Sequence, residues 1–238
     1  MRPLLAVFLL VALGVPAARA QPDAVFPPPS DSTEAAFDTG GGFALLLTEY
    51  GFGLGGLYRT GVGGGTSLLL EASVSVGKDE REQQFFVGLF GETVTPFKRN
   101  YVLLVPLHLG VEQRLFREAI EDNFRPFVQL TTGPTFAYQW PYFADLDGDG
   151  VREMGEELNG PLGGLGEGDV RFGAGATLAV GAYFGRSRRS AQGVRFGYTA
   201  HWFFEPVDLL ELVPEVDVPS RQFFGTPIVG FHFVRLIG

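Results

Sequence analysis

The chain has 238 residues, a formal net charge of −9 and no cysteine. The acidic balance disfavours nucleic acid as a partner, because phosphate binding needs a basic surface. The absence of cysteine excludes disulfides and a lipid-modified cysteine anchor, so an exported fold must hold without covalent staples.

Composition points to one β domain: 34 Gly and 23 Phe without a collagen period suit β-structure with closely packed backbones. The N-terminus reads as a cleaved secretory signal over residues 1–20. Arg2 supplies the positive end, Leu4 to Val15 the short apolar run, and Ala18-Arg19-Ala20 the small-residue cleavage site. Its loss removes Arg2 and Arg19 and takes the formal charge from −9 to −11. That run is too short to span a bilayer as a helix, and no later stretch offers about 18 uninterrupted apolar residues. Residues 21–42, rich in Pro, Ser and acidic groups and without either periodicity, are expected to form a flexible leader, and residues 43–238 a barrel.

Eight strand candidates follow. The first lies within Leu46 to Arg59, with Leu46, Tyr50, Phe52, Leu54 and Tyr58 on one parity and Glu49, Gly51, Gly53, Gly55 and Arg59 on the other. The second, Thr66 to Gly77, sets Leu68, Leu70, Ala72, Val74 and Val76 against Ser67, Glu71, Ser73 and Ser75, with Leu69 an exception. The third, about Gln84 to Thr95, alternates less cleanly. The fourth, Tyr101 to Arg114, opposes an outward apolar row to His108, Gly110, Glu112 and Arg114, and the fifth, Arg125 to Gln139, opposes Val128, Leu130, Phe136 and Tyr138 to Gln129, Thr131, Gly133 and Thr135.

The sixth candidate, Asp169 to Phe184, has one wholly apolar face from Val170 to Phe184, while Arg171, Thr177 and several glycines take the other. A period of two is that of an extended strand. This one exceeds the usual 5 to 6 residues of a globular sheet but suits a bilayer, which a tilted strand crosses in roughly 9 to 11 residues. The seventh, Gly193 to Phe204, and the eighth, Phe223 to Leu236, repeat the pattern, with Arg195, Thr199, His201, Thr226 and His232 on the polar side. Pro106, Pro134 and Pro227 fall inside strands and count against those three assignments.

An even number of strands suits a closed antiparallel barrel, which removes the open edges that lipid cannot satisfy. If the chain starts in the periplasm, the two longest connections, Pro141 to Gly168 and Glu205 to Arg221, are the fifth and seventh and both face outward. On these features the chain resembles the small eight-stranded outer-membrane β-barrel proteins over about Leu46 to Gly238. The resemblance implies an all-β transmembrane barrel in the bacterial outer membrane, in contact with lipid and presenting loops to an extracellular protein or ligand. In such proteins the last strand usually ends on an aromatic residue; here it ends Val234-Arg235-Leu236-Ile237-Gly238.

One motif carries metal chemistry. Asp145-Leu146-Asp147-Gly148-Asp149-Gly150-Val151-Arg152-Glu153-Met154-Gly155-Glu156 resembles the calcium loop of EF-hand and dockerin-type sites. The resemblance implies Ca2+ held by Asp145, Asp147, Asp149, the Val151 carbonyl, Glu153 directly or through water, and Glu156, ordering a long surface loop. Arg152 departs from that family, which prefers an apolar residue there, and the flanks promise no helices. A solvated acidic loop is the competing reading.

His108, His201 and His232 all share the inward parity with Glu49, Glu71, Glu92, Glu112, Arg59, Arg114, Arg171 and Arg195. A narrow barrel is filled by side chains, so these charges are expected to pair as an interior plug. A catalytic or metal-binding histidine cluster is the alternative. Lipid A deacylases of the outer membrane place Ser two residues after the catalytic His, whereas here Gly110, Phe203 and Val234 hold those positions. No G-x-S-x-G, phosphate loop or cysteine nucleophile is present either. The apolar and acidic segment Val207 to Val213 is expected to pack on the barrel rim, with partner or lipid-surface binding as the alternative.

Three functions fit these readings. The favoured one is a non-enzymatic barrel with a structural or surface-interaction role. The others are an envelope lipid hydrolase using an inward histidine and a soluble exported β-sandwich or lipocalin-like binder.

Overall fold

The computed structural model describes residues 39–87, 92–120, 123–153, 155–185, 190–211 and 221–236. The signal segment, the leader up to residue 38 and the last two residues lie outside them.

Among the described residues ten strands form, in the order β1 (Thr39–Thr48), β2 (Gly51–Gly63), β3 (Thr66–Gly77), β4 (Phe85–Val87), β5 (Glu92–Val94), β6 (Asn100–Arg114), β7 (Phe124–Pro141), β8 (Asp169–Phe184), β9 (Ser190–Val207) and β10 (Arg221–Leu236). Eight of them close into one antiparallel ring, β1-β10-β9-β8-β7-β6-β3-β2, while β4 and β5 make a separate two-stranded hairpin. Among the described residues no helix is long and apolar enough to cross a membrane.

The count of eight is reached by a different route from the sequence expectation. The first candidate straddles a tight turn at Glu49 and Tyr50, so Leu46 lies on β1 and Phe52 on β2, in separate neighbouring strands. β1 begins at Thr39 and takes in four residues assigned to the leader. The third candidate supplies only the β4–β5 hairpin. The alternation of the other six holds: Leu178, Val180, Trp202, Phe204 and Leu109 are exposed, and Thr177, Thr199, His201 and His108 are buried. Leu69, the exception in the second candidate, is inward and buried.

The connections alternate between the two ends of the ring, and the longest share one end. Residues 49–50, 78–99, 142–168 and 208–220 join strands at one end, and residues 64–65, 115–123 and 185–189 at the other. Three long connections, one more than expected, therefore share an end. The added one contains the β4–β5 hairpin.

The three strand prolines stay in the ring. Pro106 faces Thr135, Pro134 faces Ala174 and Pro227 faces Tyr198. Proline offers no N–H to a ladder, and the β3–β6 pairing omits Ser73 and Val74 beside Pro106 before resuming at Ser75↔Leu104. Inward glycines let strands approach closely. A Cβ on Gly110 would overlap the Leu130 carbonyl oxygen and lie 2.5 Å from Thr131 Cα, whereas one on Gly41 would meet nothing nearer than 3.7 Å.

The outer surface is banded. Phe43 stacks on Phe233 at 4.8 Å and Phe124 lies against Phe184 at 5.4 Å near the end with short turns. Phe136 with Phe172 at 5.5 Å and Trp202 with Phe223 at 6.3 Å ring the end with long connections. Between these aromatic pairs the exposed residues are apolar: Leu45, Leu130, Leu178 and Val180 are aliphatic, and Phe231, Tyr198 and Phe196 stand across the ladders from Leu45, Leu178 and Val180.

Gly110→Ala is expected to destabilise the barrel by about 1–3 kcal/mol, the usual effect of overpacking, and Gly41→Ala by no more than about 0.5 kcal/mol, as for ordinary surface changes. Urea unfolding in detergent micelles, followed by tryptophan fluorescence, measures both.

Candidate functional site

The end with long connections carries the features most able to meet a partner. Its base is an apolar layer of Tyr50, Val102, Leu104, Ala137, Phe203, Val207, Leu209 and Phe224, all buried inside the mouth of the ring. Val207, Leu209 and Glu211 are buried and Leu210 packs on the same layer, so the described part of the apolar and acidic segment sits on the rim as expected. Residues 212 and 213 lie outside the described residues.

Charged pairs tie the connections to that base. Arg221 Nη2 donates to Glu80 Oε1 at 3.1 Å and to the Tyr50 hydroxyl at 3.0 Å, and its guanidinium lies 4.8 Å from the centre of the Phe224 ring. Lys98 Nζ reaches Glu82 Oε2 at 2.7 Å with both side chains buried, and it sits over the Tyr101 and Tyr142 rings. Arg81 holds Asp79 through Nε and Nη2, at 2.8 and 2.9 Å. Burial works against the Asp79 charge, but the Arg81 hydrogen bonds and the Arg81 and Arg221 charges outweigh it and hold the carboxyl below its usual range.

The acidic loop occupies the outer part of this end. Asp145, Asp147 and Asp149 are exposed, and one carboxylate oxygen of each lies within 4.8 Å of the others. Asp145 accepts from the Gly148 and Gly150 amides at 2.7 and 2.9 Å, and Asp149 Oδ1 accepts from the Val151 amide at 2.7 Å. Glu156 is buried and turned inward, its two carboxylate oxygens accepting from the Leu146 and Glu153 amides at 2.8 and 2.9 Å. Glu153 itself is exposed. The structure thus brings together the three aspartates of the expected set, while Glu156 clasps the loop from behind.

Gly150 has φ of 74°, a left-handed conformation that favours glycine, and a Cβ there would strike the Arg99 guanidinium at 2.7 Å. The flanks pair as a short ribbon through Phe143↔Leu158 and the Ala144 amide to the Glu157 carbonyl at 2.9 Å. The likeness to an EF-hand is therefore confined to the loop. Sequence spacing gave no sign of Glu211, which comes from the seventh connection. Its carboxyl is pushed up by burial; the Arg152 amide and charge oppose this, and the Asp149 and Glu156 charges reinforce it.

Inside the ring the expected pairing is largely present. Arg59 Nη1 meets Glu112 Oε1 at 3.1 Å, and Tyr183 donates to Glu112 Oε2 at 3.1 Å. Arg195 Nη1 meets Glu71 Oε1 at 2.6 Å. His108 and His201 share the Thr135 hydroxyl. His232 is buried edge-on to Tyr183, and among the described residues neither of its ring nitrogens has a hydrogen-bond partner. A second apolar cluster, Leu57, Phe127, Tyr183, Ala191 and Val234, lies toward the end with short turns, beside the Arg59–Glu112 pair.

Two residues expected inward stand elsewhere: Glu49 is exposed in the β1–β2 turn and Glu92 belongs to the hairpin. Arg171 keeps the inward parity, across from buried Ala137, and sits at the rim bound to Asp169 and Glu205 at 2.9 Å each.

No family model and no curated protein matches the chain. Solved structures do. Neisserial surface protein A is similar at 7% identity and a TM-score of 0.42, covering 83% of this chain and 94% of that one. The attachment invasion locus protein Ail of Yersinia pestis is similar at 11% identity and a TM-score of 0.35, covering 82% and 95%. CarO2 of Acinetobacter baumannii is similar at 10% identity and a TM-score of 0.32, covering 82% and 98%.

Two predictions follow from the charged groups. Glu112→Ala removes the carboxylate that balances the buried Arg59 charge and is expected to cost about 3–5 kcal/mol, most of it recovered by Arg59→Met with Glu112→Leu; urea unfolding of the three proteins checks this. The Asp79 carboxyl is depressed in the folded state, so its contribution is present above the ordinary value of 3.8 and is lost as pH falls through the lowered one. Acid unfolding of the wild type is expected to gain a step below about pH 4 that Asp79→Asn lacks, read as fluorescence against pH.

Proposed function

We propose that the chain is a non-enzymatic β-barrel of the bacterial outer membrane whose work is done by the end with long connections, as a structural or surface-interaction module. One observation carries the reading: the outside of the closed ring is a continuous apolar band of exposed Leu, Val, Phe, Tyr and Trp side chains, the surface that lipid selects. All eight ring strands, from 10 to 18 residues long, reach the roughly 9 to 11 residues a tilted strand needs. A soluble binder would expose such a surface to water at great cost.

The interior supports a role at the loops over transport or hydrolysis. Apolar clusters lie toward both ends of the lumen, and His108, His201 and His232 are each no more than 3% exposed. Lipid substrate has no described route to them. The N-terminal signal and export complete the proposal.

In the same proposal Ca2+ orders the fifth connection through Asp145, Asp147 and Asp149, with Val151, Glu153 and Glu156 completing or bracing the loop. The clustered carboxylates and the left-handed glycine at the sixth position support this. The Arg99 guanidinium beside Gly150 offsets part of the charge, consistent with a weak site of about 0.1–1 mM.

Expressed with its signal segment, the protein is expected in the outer-membrane fraction, with an electrophoretic mobility in detergent that changes on boiling. Leu130→Arg, harmless on a soluble surface, is expected to cost about 2–4 kcal/mol at the bilayer midplane. Recovery in the soluble fraction with no mobility change would overturn the membrane reading. Terbium luminescence on the folded protein tests the loop: Asp145→Asn with Asp149→Asn should abolish a signal that Ca2+ competes away. Burial, with the Asp149 and Glu156 charges, raises the Glu211 carboxyl above its ordinary range; Ca2+ uptake opposes those charges and should therefore release protons above that range, a release that Glu211→Gln should remove.

A further inference from the structure

Within the upper lumen three metal-ligating atoms from three strands converge on one glycine. A Cβ on Gly175 of β8 would lie 2.5 Å from His201 Nδ1 of β9, 2.7 Å from Thr135 Oγ1 of β7 and 2.9 Å from His108 Nε2 of β6. Thr135 Oγ1 stands 3.1 Å from His201 Nδ1 and 3.5 Å from His108 Nε2. Donors around a tetrahedral ion at about 2.0–2.1 Å lie about 3.3 Å apart, so these two spacings are also those of a coordination polyhedron. All three side chains are buried, at 3% for each histidine and 0% for Thr135.

The surroundings hold the rings as outer groups hold metal ligands. The far nitrogen of His201 meets Thr199 Oγ1 at 3.4 Å, and that hydroxyl meets Thr177 Oγ1 at 2.9 Å. His108 lies directly across the ladder from Glu71, whose carboxylate is shared with Arg195. The Thr199 hydroxyl helps to fix the His201 ring, while the Glu71–Arg195 pair leaves the wall beside His108 close to neutral.

We infer that the lumen contains a transition-metal site made of His108 Nε2, His201 Nδ1 and Thr135 Oγ1, with Gly175 keeping the space beside them clear. Two imidazoles and a hydroxyl suit the borderline divalent ions, Cu2+ binding most tightly and Zn2+ and Ni2+ less so, in contrast to the oxygen-only loop, which suits Ca2+. Apolar clusters toward both ends separate this site from water. Loading therefore accompanies folding, and exchange from the folded barrel is slow.

The test is refolding of the full chain from urea into detergent with Cu2+, followed by passage over a chelating resin, metal analysis and electron paramagnetic resonance. About one chelator-resistant copper per chain is expected, with splitting from two imidazole nitrogens; Cu2+ added after folding should leave little behind the resin. Asp145→Asn and His232→Ala should retain the copper, while His108→Ala, His201→Ala and Gly175→Ala should lose it. The mobility change on boiling identifies any variant that has not folded; for such a variant the nitrogen splitting of the wild type decides alone. No resistant copper in the wild type, copper without imidazole nitrogen, retention in the folded His108→Ala and His201→Ala proteins, or loss in Asp145→Asn would each overturn the inference.

Discussion

Everything in this molecule depends on the seam between its first and last strands. β1 and β10 pair from Gly40↔Leu236 to Thr48↔Ile228, and through that ladder eight strands become a ring with no free edge. Once the ring is closed, the period of two along each strand has one meaning: odd and even side chains go to two different solvents. Outside, that solvent is apolar on the present reading; inside, it is the protein's own side chains. Both the exposed band of Leu130 and Leu178 and the buried Arg59–Glu112 pair are products of the same alternation.

How much of this could be read in advance depends on how strongly the two faces of a strand differ. β8 and β9 were legible because from Val170 to Phe184 and from Val194 to Phe204 every residue on one side is apolar and the other side carries Arg, Thr, His and Gly. β1 was not. Ala44 and Leu46 point inward while Phe43, Leu45 and Leu47 point outward, so both faces are apolar and the alternation vanishes in a run of leucines. The turn at Glu49 and Tyr50 that follows lacks proline and has glycine only at its far side, so nothing marked it. The β4–β5 segment erred the other way: it carries strand character, but pairs only with itself.

The functional regions divide in the same manner. Contacts within the acidic loop are local, and spacing alone placed its three aspartates together. Glu211 reaches that loop from a distant connection, and no local pattern announces such a meeting. The lumen was half legible. Its charges sat on the expected parity, but Phe127, Phe203 and Phe224 occupy inward positions too, and the rule that inward means polar hid the two apolar clusters toward its ends. The grouping of His108 with His201 is a matter of height along the barrel, set by strand stagger that parity does not contain.

The seam has a kinetic side. Its partners are among the most distant in the chain, with Gly40 facing Leu236, while every other ring ladder joins strands consecutive in the ring order along the sequence. Loop entropy must be lost across nearly the whole polypeptide before that ladder returns any stabilisation. The ring cannot close until the last strand has been made, and until then β1 presents an unpaired edge next to a half-built apolar surface. An assembly order follows in which local hairpins form early and closure comes last and slowly. Throughout that interval the chain depends on being held apart from other copies of itself.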